Sequence, residues 1–152
     1  YTPEEQSVVI AAGSVYGNTT NAAEILAGML AERGVKNIAF YDVSNTHPSV
    51  LVSEAFRCSH LVFASSTYNN GIFTPMETVL LDLAAHNLQN RTVALIENGS
   101  WAPVSGKLMR EVLGKMKNIQ ILDSSLTLRS SMKEDQLASL ESLADAIVKS
   151  LE

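Results

Sequence analysis

Short apolar runs alternate with longer segments of helical periodicity along almost the whole chain. The runs fall at residues 7–12, 37–41, 60–65, 92–97 and 119–125, and several of them contain no polar residue over four positions. Continuous apolar runs of this length are typical of strands that are buried on both faces of a parallel sheet. We therefore predict five parallel strands.

Apolar residues at helical spacing occupy the segments between these runs. The predicted helices cover residues 19–33, 48–57, 75–86, 104–116 and 134–151. Gly34 suits the C-cap of the first helix, and Pro75 suits the first turn of the third. The regular alternation of strand and helix predicts a doubly wound α/β domain with right-handed crossovers.

The size and charge of the chain limit what it can be. Its 152 residues make one domain, which we place at residues 7–152 after a linker or N-terminal tail at residues 1–6. A net charge of −5 gives no basic surface for nucleic acid or an anionic membrane. No apolar run approaches the roughly 20 residues of a membrane span. The single cysteine, Cys58, excludes an internal disulfide, and we predict that it is a small buried residue of a cytoplasmic protein.

Three segments that follow predicted strands share an unusual composition. Residues 13–20, 66–75 and 98–106 contain no Asp, Glu, Lys or Arg. They contain Ser, Thr, Asn and Gly instead, together with the aromatic residues Tyr16, Tyr68, Phe73 and Trp101. Ligands of open α/β sheets bind at the carboxyl ends of the strands, where these segments begin. The sequence therefore predicts a neutral cleft with an aromatic rim, suited to a flat uncharged ring with a phosphate tail.

The first of these segments has the features of an anion site. A buried strand, a glycine-containing turn and a helix start bring backbone N–H groups and the positive end of a helix dipole together. Ser14, Thr19 and Thr20 add hydroxyl donors, and the lack of Lys and Arg indicates a phosphate that is held and not hydrolysed. The alternative is that these hydroxyls only cap the helix.

Other phosphate, metal and catalytic sites do not fit the sequence. The segment lacks the lysine of a Walker loop and the spacing of a GxGxxG fingerprint, and the first strand does not end in the acidic residues of a response-regulator receiver. His47, His60 and His86 are scattered, and no histidine stands in the three segments to activate a serine. We predict no metal-ligating and no catalytic residue.

The three segments, in this order, resemble the FMN loops of flavodoxins. They are most similar to those of the flavodoxin-like domain at the C-terminal end of flavodiiron proteins, the A-type flavoproteins. The resemblance runs from about residue 7 to residue 151. It implies a flavodoxin-like, doubly wound, five-stranded parallel sheet with helices on both faces, FMN as the cofactor, and electron transfer as the function.

The resemblance also implies a role for each matching residue. Ser14, Asn18 and Thr19 would hold the FMN phosphate, helped by the main chain of Val15, Tyr16 and Gly17. One side and the edge of the isoalloxazine would be lined by Ser66, Thr67, Tyr68, Asn69, Asn70 and Gly71. The other side would be lined by Asn98, Gly99, Ser100 and Trp101, and Trp101 offers the larger stacking area.

One departure from the flavodiiron pattern bears on function. Whole flavodiiron proteins carry a metallo-β-lactamase-like domain with His, Asp and Glu iron ligands, and nothing in this chain resembles it. The resemblance then implies an electron donor, either rubredoxin or an NAD(P)H-linked reductase, and a diiron domain outside this chain as the acceptor. Two alternatives stay open: a self-contained NAD(P)H-dependent FMN reductase or quinone reductase, and a cofactor-free interaction module.

Overall fold

The computed structural model describes residues 2–13, 18–68, 71–98, 105–122, 126–128 and 134–152. The strands are β1 (Glu5–Gly13), β2 (Ile38–Asp42), β3 (Cys58–Tyr68), β4 (Gly71–Ile72), β5 (Arg91–Asn98), β6 (Ile119–Ile121) and β7 (Leu126–Leu128). The helices are α1 (Asn18–Glu32), α2 (Pro48–Arg57), α3 (Thr74–Ala85), α4 (Ser105–Leu113) and α5 (Glu134–Leu151).

The strands form one sheet in the order β2-β1-β3-β5-β6, and these neighbours are parallel. The short strand β4 pairs antiparallel with β3, and β7 pairs parallel with β5. Because β2 lies on one side of β1 and β3 on the other, the winding of the chain reverses between β1 and β3. The carboxyl ends of these two strands therefore form the topological switch point, where open α/β sheets bind their ligands.

Successive residues of β1 point to opposite faces of the sheet, and both faces are covered. Val9 and Ala11 join the hydrophobic cluster formed with α2, α3 and α4. Val8 and Ile10 join the cluster formed with α1 and α5. The predicted α/β sheet with helices on both faces is thereby confirmed. In the part of the chain that the structure describes, no helix is both long and apolar enough to cross a membrane.

Most predicted boundaries agree closely with the structure. Helices α2 and α5 have the predicted bounds, and α1, α3 and β5 differ by one residue at each end. Gly34 has a φ of 89° beyond the end of α1, and Pro75 lies in the first turn of α3, as the sequence predicts. The predicted helix at residues 104–116 is shorter in the structure, where α4 ends at Leu113. Strand β1 begins at Glu5, two residues before the predicted start.

The predicted strand at residues 119–125 is wrong as a continuous strand. Val93 of β5 pairs with Ile121, and Ile96 pairs with Leu126. Two residues of β5 and four residues of the partner segment lie between these two pairs, so the pairs cannot belong to one regular ladder. In the described residues β6 ends at Ile121 and β7 begins at Leu126. The sequence prediction also missed β4.

A buried arginine joins β5 to the end of α2. Arg91 is 2% exposed, and its guanidinium donates to the carbonyl oxygens of Ala55 at 2.9 Å and Phe56 at 2.9 Å. Its guanidinium carbon also lies 5.8 Å from the centre of the Phe56 ring. The last carbonyls of a helix have no partner within the helix, so Arg91 satisfies groups that burial would otherwise leave unpaired.

Candidate functional site

The three uncharged segments begin side by side at the carboxyl edge of the sheet. Gly13, the last residue of β1, pairs with Ser65 of β3, and Ser66 pairs with Asn98, the last residue of β5. The central three strands therefore deliver all three segments to one place, next to the switch point. The starts of the three segments are therefore neighbours, as the sequence analysis predicts.

A pair of hydroxyls links the first two segments. Thr19 lies in the first turn of α1 and is fully buried, and its Oγ1 is 3.2 Å from the Oγ of Ser66. The first turn of α1 contains no acidic residue, so no side chain of that turn places a negative charge at the positive end of its dipole. The hydroxyl pair thus fixes the helix start predicted for phosphate against the strand end predicted for the ring.

The second segment is anchored by a short hairpin. Thr67 pairs with Ile72 and Tyr68 pairs with Gly71, so that β4 lies antiparallel beside the end of β3. The backbone N–H of Phe73 lies 3.1 Å from the carbonyl oxygen of Ser66 and 3.3 Å from the Oγ of Ser65, and Ser65 Oγ donates to the Ser66 carbonyl at 3.0 Å. These contacts close the base of the segment that carries the candidate ring-binding residues.

Close packing joins the base of the first segment to that of the second. A Cβ on Gly13 would lie 2.5 Å from Val43 Cγ2 and 2.7 Å from Phe73 Cδ2. Real Cβ atoms do not approach other atoms this closely, so glycine is needed at this position. Phe73, which the sequence analysis assigned to the aromatic rim, is half-buried and packs across the end of β1.

A carboxylate at the same edge closes the third segment. Oε2 of Glu97 accepts the backbone N–H of Gly106 at 2.7 Å, and Gly106 is the second residue of α4. Asp42, at the end of β2, similarly accepts the N–H of Ser44 at 2.9 Å. Asp42 and Glu97, the two carboxylates at the described edge, thus each accept a backbone N–H group, which stabilises their negative charge.

The structure describes only part of the predicted site. Of the candidate residues, it describes Thr19, Ser66, Thr67 and Gly71 fully, and Asn18, Tyr68 and Asn98 by their backbone. The others lie outside the described residues: Ser14, Val15, Tyr16, Gly17, Asn69, Asn70, Gly99, Ser100 and Trp101. Their proposed contacts stay predictions.

The sequence analysis placed Gly13 at the start of the first segment, but it did not identify Ser65 or Val43 as parts of the site framework. Ser65 stood inside a predicted strand, and the packing around Gly13 joins residues that are far apart in sequence. Position supplied one usable signal for Ser65, because it is the last residue of the predicted strand at residues 60–65. No local pattern marks Val43, which follows β2 directly.

Two ionisable groups with displaced pKa values, Cys58 and His60, lie at the opposite, amino-terminal edge of the sheet. Cys58 is fully buried, as predicted, and burial raises the pKa of its thiol. Burial also lowers the pKa of His60, which is 5% exposed. Neither residue can act on a ligand at the carboxyl edge, because both stand at the start of β3.

His60 belongs to a chain of hydrogen bonds between β1, β3 and α5. Both nitrogens of the neutral ring are satisfied if Ser59 Oγ–H donates to Nδ1 at 2.6 Å, in place of the Ser7 carbonyl at 3.3 Å, and Nε2–H donates to Ser150 Oγ at 3.0 Å. Ser7 N–H then donates to Ser59 Oγ at 3.2 Å, and Ser150 Oγ–H donates to the Ile147 carbonyl at 2.8 Å. A second proton on the ring would be buried without a carboxylate in this chain of contacts, in agreement with the lowered pKa.

A cleft of about 440 Å³ lies between α2 and α3, and none of its lining residues belongs to the three uncharged segments. It is lined by His47, Pro48, Ser49, Val52, Ser53, Asp82 and His86. His47 Nδ1 accepts the N–H of Ser49 as an N-cap, and His86 Nδ1 donates to the Asp82 carbonyl. Each histidine thus completes the end of a helix. Within the described residues, no group of three His, Cys, Asp or Glu side chains could hold a metal ion.

No protein-family model matches the chain, and no curated protein sequence matches it.

Solved structures match almost the whole chain. Rubredoxin:oxygen oxidoreductase from Desulfovibrio gigas has a TM-score of 0.91 at 21% identity, with 98% of this chain and 37% of that chain covered. The flavodiiron protein from Giardia intestinalis has a TM-score of 0.86 at 15% identity, with 97% and 36% covered. A flavodoxin from the domain Archaea has a TM-score of 0.80 at 20% identity, with 97% and 99% covered.

The shares covered differ between these two kinds of neighbour. The chain matches nearly the full length of the archaeal flavodoxin but only 37% of the length of the D. gigas protein. A flavodoxin and flavodiiron proteins both superpose on it with TM-scores of 0.80 or more, so the resemblance drawn from the three segments is confirmed at the level of the fold. The chain has the flavodoxin-like fold.

Proposed function

We propose that the chain is an FMN-binding electron-transfer domain. The observation that carries this proposal is the fully buried Thr19 hydroxyl, 3.2 Å from Ser66 Oγ at the switch point of the sheet. This contact joins the start of α1, which suits a phosphate, to the end of β3, which suits a ring. The flavodoxin-like fold supports the same assignment.

The chemistry of the described edge fits a bound phosphomonoester. A phosphate needs N–H and hydroxyl donors, and uncompensated carboxylates nearby would repel it. Thr19 and Ser66 supply hydroxyls, and the two carboxylates, Asp42 and Glu97, accept backbone N–H groups. In this proposal Ser14, Asn18 and Thr19 hold the phosphate.

The ring would be held by the second and third segments. Residues 66–71 would line one side and the edge of the isoalloxazine, and residues 98–101 the other, with Trp101 stacked on it. The flavin supplies the redox chemistry when it is bound. The chain contributes binding, orientation and exclusion of water, through a framework whose three strand ends are fixed by packing and hydrogen bonds.

We further propose that the electron acceptor is a diiron centre outside this chain and that the donor is rubredoxin or an NAD(P)H-linked reductase. Support comes from the likeness to the D. gigas and Giardia proteins, of which this chain spans about a third. In this proposal the isolated chain binds no stoichiometric iron and reduces neither oxygen nor NO at an appreciable rate.

The test is reconstitution of the purified chain with FMN, followed by absorption spectra before and after addition of NADH. One FMN per chain, with no reduction by NADH alone, would support the proposal. Rapid reduction by NADH without a partner would instead identify a self-contained reductase. Absence of flavin binding would identify the cofactor-free alternative, and two irons per chain would contradict the external diiron centre.

A further inference from the structure

The hydrogen bond between Glu97 and Gly106 ties together the two ends of the third segment. Glu97 is the residue before the last of β5, and Gly106 is the second of α4. Its Oε2 lies 2.7 Å from the Gly106 nitrogen. The candidate flavin contacts Asn98 and Trp101 lie between these two residues in the sequence. This contact therefore fixes where the segment leaves the sheet and where it enters the helix.

Gly106 is shaped to this contact. A Cβ at this position would lie 2.7 Å from both Cδ and Oε2 of Glu97 and 2.9 Å from Oε1. The φ of Gly106 is outside the left-handed region, so the approach of the carboxylate, and not backbone conformation, requires glycine here. The carboxylate thus occupies the space that a side chain would take.

The charge of Glu97 strengthens the bond. The first turn of α4 contains no acidic residue of its own, and a carboxylate is the preferred acceptor at the positive end of a helix. The sheet register places Glu97 beside Ser65, and the following residue, Asn98, beside Ser66. Glu97 therefore lies on β5 one residue before the position that pairs with Ser66, the residue of β3 that contacts Thr19.

We propose that Glu97 is a positioning residue for the ring side of the cleft. Its carboxylate holds the start of α4 against the end of β5, and so sets the position of the segment that carries Trp101. Glu97 acts through Gly106 and does not itself bind the ligand. The flavin part of this inference rests on the proposed function, whereas the contact with Gly106 can be tested without any ligand.

A double-mutant cycle on the stability of the apo protein tests the contact. We expect Gly106→Ala to lower the melting temperature of the wild type, because its methyl group displaces the carboxylate. In a Glu97→Ala background, the same substitution should raise the melting temperature, because the carboxylate no longer fills the space next to Gly106 and alanine favours the helix more than glycine does. Gly28→Ala is the matched control: Gly28 lies in α1 with nothing within 4 Å of a Cβ, so its effect should be equal in both backgrounds. An equal effect of Gly106→Ala in both backgrounds would overturn the proposal.

Trp101 is the single tryptophan of the chain, so tryptophan fluorescence, excited selectively over the four tyrosines, reports on the third segment. We expect Glu97→Ala to shift the emission maximum of the folded apo protein, and Glu97→Gln, which keeps an acceptor oxygen, to restore much of the wild-type spectrum. Glu77→Gln, in the first turn of α3, removes the same charge elsewhere and should leave the spectrum unchanged. Unchanged emission in Glu97→Ala would contradict the proposal.

Flavin binding then separates positioning from phosphate recognition. We expect Glu97→Ala to weaken FMN and riboflavin by the same factor, about tenfold, because both ligands carry the ring. A loss confined to FMN would overturn the assignment of Glu97 to the ring side. If the wild type binds neither ligand, the proposed function fails, and the stability cycle and the tryptophan spectrum still decide whether Glu97 positions the segment.

Discussion

Replacement of Thr19 by valine removes one hydroxyl from a fully buried position and leaves the shape of the side chain nearly unchanged. In the apo protein the lost contact is the one with Ser66 Oγ, at 3.2 Å. A buried hydrogen bond between neutral groups contributes about 1 kcal/mol, so the free energy of unfolding should fall by roughly that amount. The variant is therefore expected to stay folded.

The effect on FMN binding should be larger than the effect on stability. A bond to a charged phosphate contributes about 1.5–3 kcal/mol, which corresponds to a roughly ten- to hundredfold loss of affinity. Riboflavin lacks the phosphate, so its affinity should change little. The measurement is a titration followed by flavin fluorescence, with both ligands at one ionic strength.

Two further variants serve as controls. Thr19→Ser keeps the hydroxyl and should retain most of the affinity for FMN. Thr78→Val removes an exposed threonine hydroxyl that bonds to the Thr74 carbonyl in α3, and should leave both affinities unchanged. An equal loss for FMN and riboflavin in Thr19→Val would refute phosphate binding by Thr19. It would show that the hydroxyl acts only by holding Ser66.

Three further predictions concern the framework. Gly13→Ala should lower the free energy of unfolding by about 1–3 kcal/mol, because its methyl group would lie 2.5 Å from Val43. Gly28→Ala, whose methyl group would meet nothing within 4 Å, should raise it by about 0.5–1 kcal/mol. Equal melting temperatures of the two variants would contradict this. Because burial lowers the pKa of His60, the unfolded chain binds the extra proton at a higher pH than the folded chain does. The free energy of unfolding should therefore be at its full value above about pH 6.5 and fall below that pH by up to about 1.4 kcal/mol per pH unit. Urea titrations of the wild type and His60→Gln should differ in this slope. A lysine at position 91 cannot bridge both carbonyls of α2, so Arg91→Lys should lower the free energy of unfolding by about 2–4 kcal/mol in the same assay. A decrease below about 0.5 kcal/mol, which is the usual scatter of surface substitutions, would contradict the role of the guanidinium.

Local patterns in the sequence were sufficient to predict most of the sheet. Val8, Val9 and Ile10 leave no polar face, which is possible only for a strand covered on both sides, and the structure buries all three. Gly34 marks a helix end because a left-handed φ follows the last turn. These features depend on a residue and its near neighbours in sequence, so periodicity detects them.

The interruption after Ile121 was not predictable in the same way. It arises because two residues more lie between Ile121 and Leu126 than between their partners Val93 and Ile96. Such a mismatch depends on how two strands pair, so the pattern of hydrophobic residues along one of them cannot predict it. Strand β4 was missed for a similar reason, since two residues are too few to show a period of two.

The contacts that hold the candidate site were hidden because they join distant residues. Thr19 and Ser66 are 47 residues apart, and each is an ordinary hydroxyl within its own segment. Gly106 is unfavourable within a helix by propensity alone, and its use becomes clear only when the Glu97 carboxylate is seen against it. The sequence identified which segments meet, and the structure adds how their ends are held.

The three segment bases are held by three different kinds of contact, and this difference has a consequence for charge. A hydroxyl pair fixes the first to the second, backbone bonds close the second, and a carboxylate closes the third. Only the third uses a charged group, and that group accepts a backbone N–H at the start of α4. A phosphate at α1 would therefore meet a helix start whose described neighbours are hydroxyls. An uncharged cleft beside the carboxylates of β2 and β5 is possible because both carboxylates already accept N–H bonds from the segments that follow those strands.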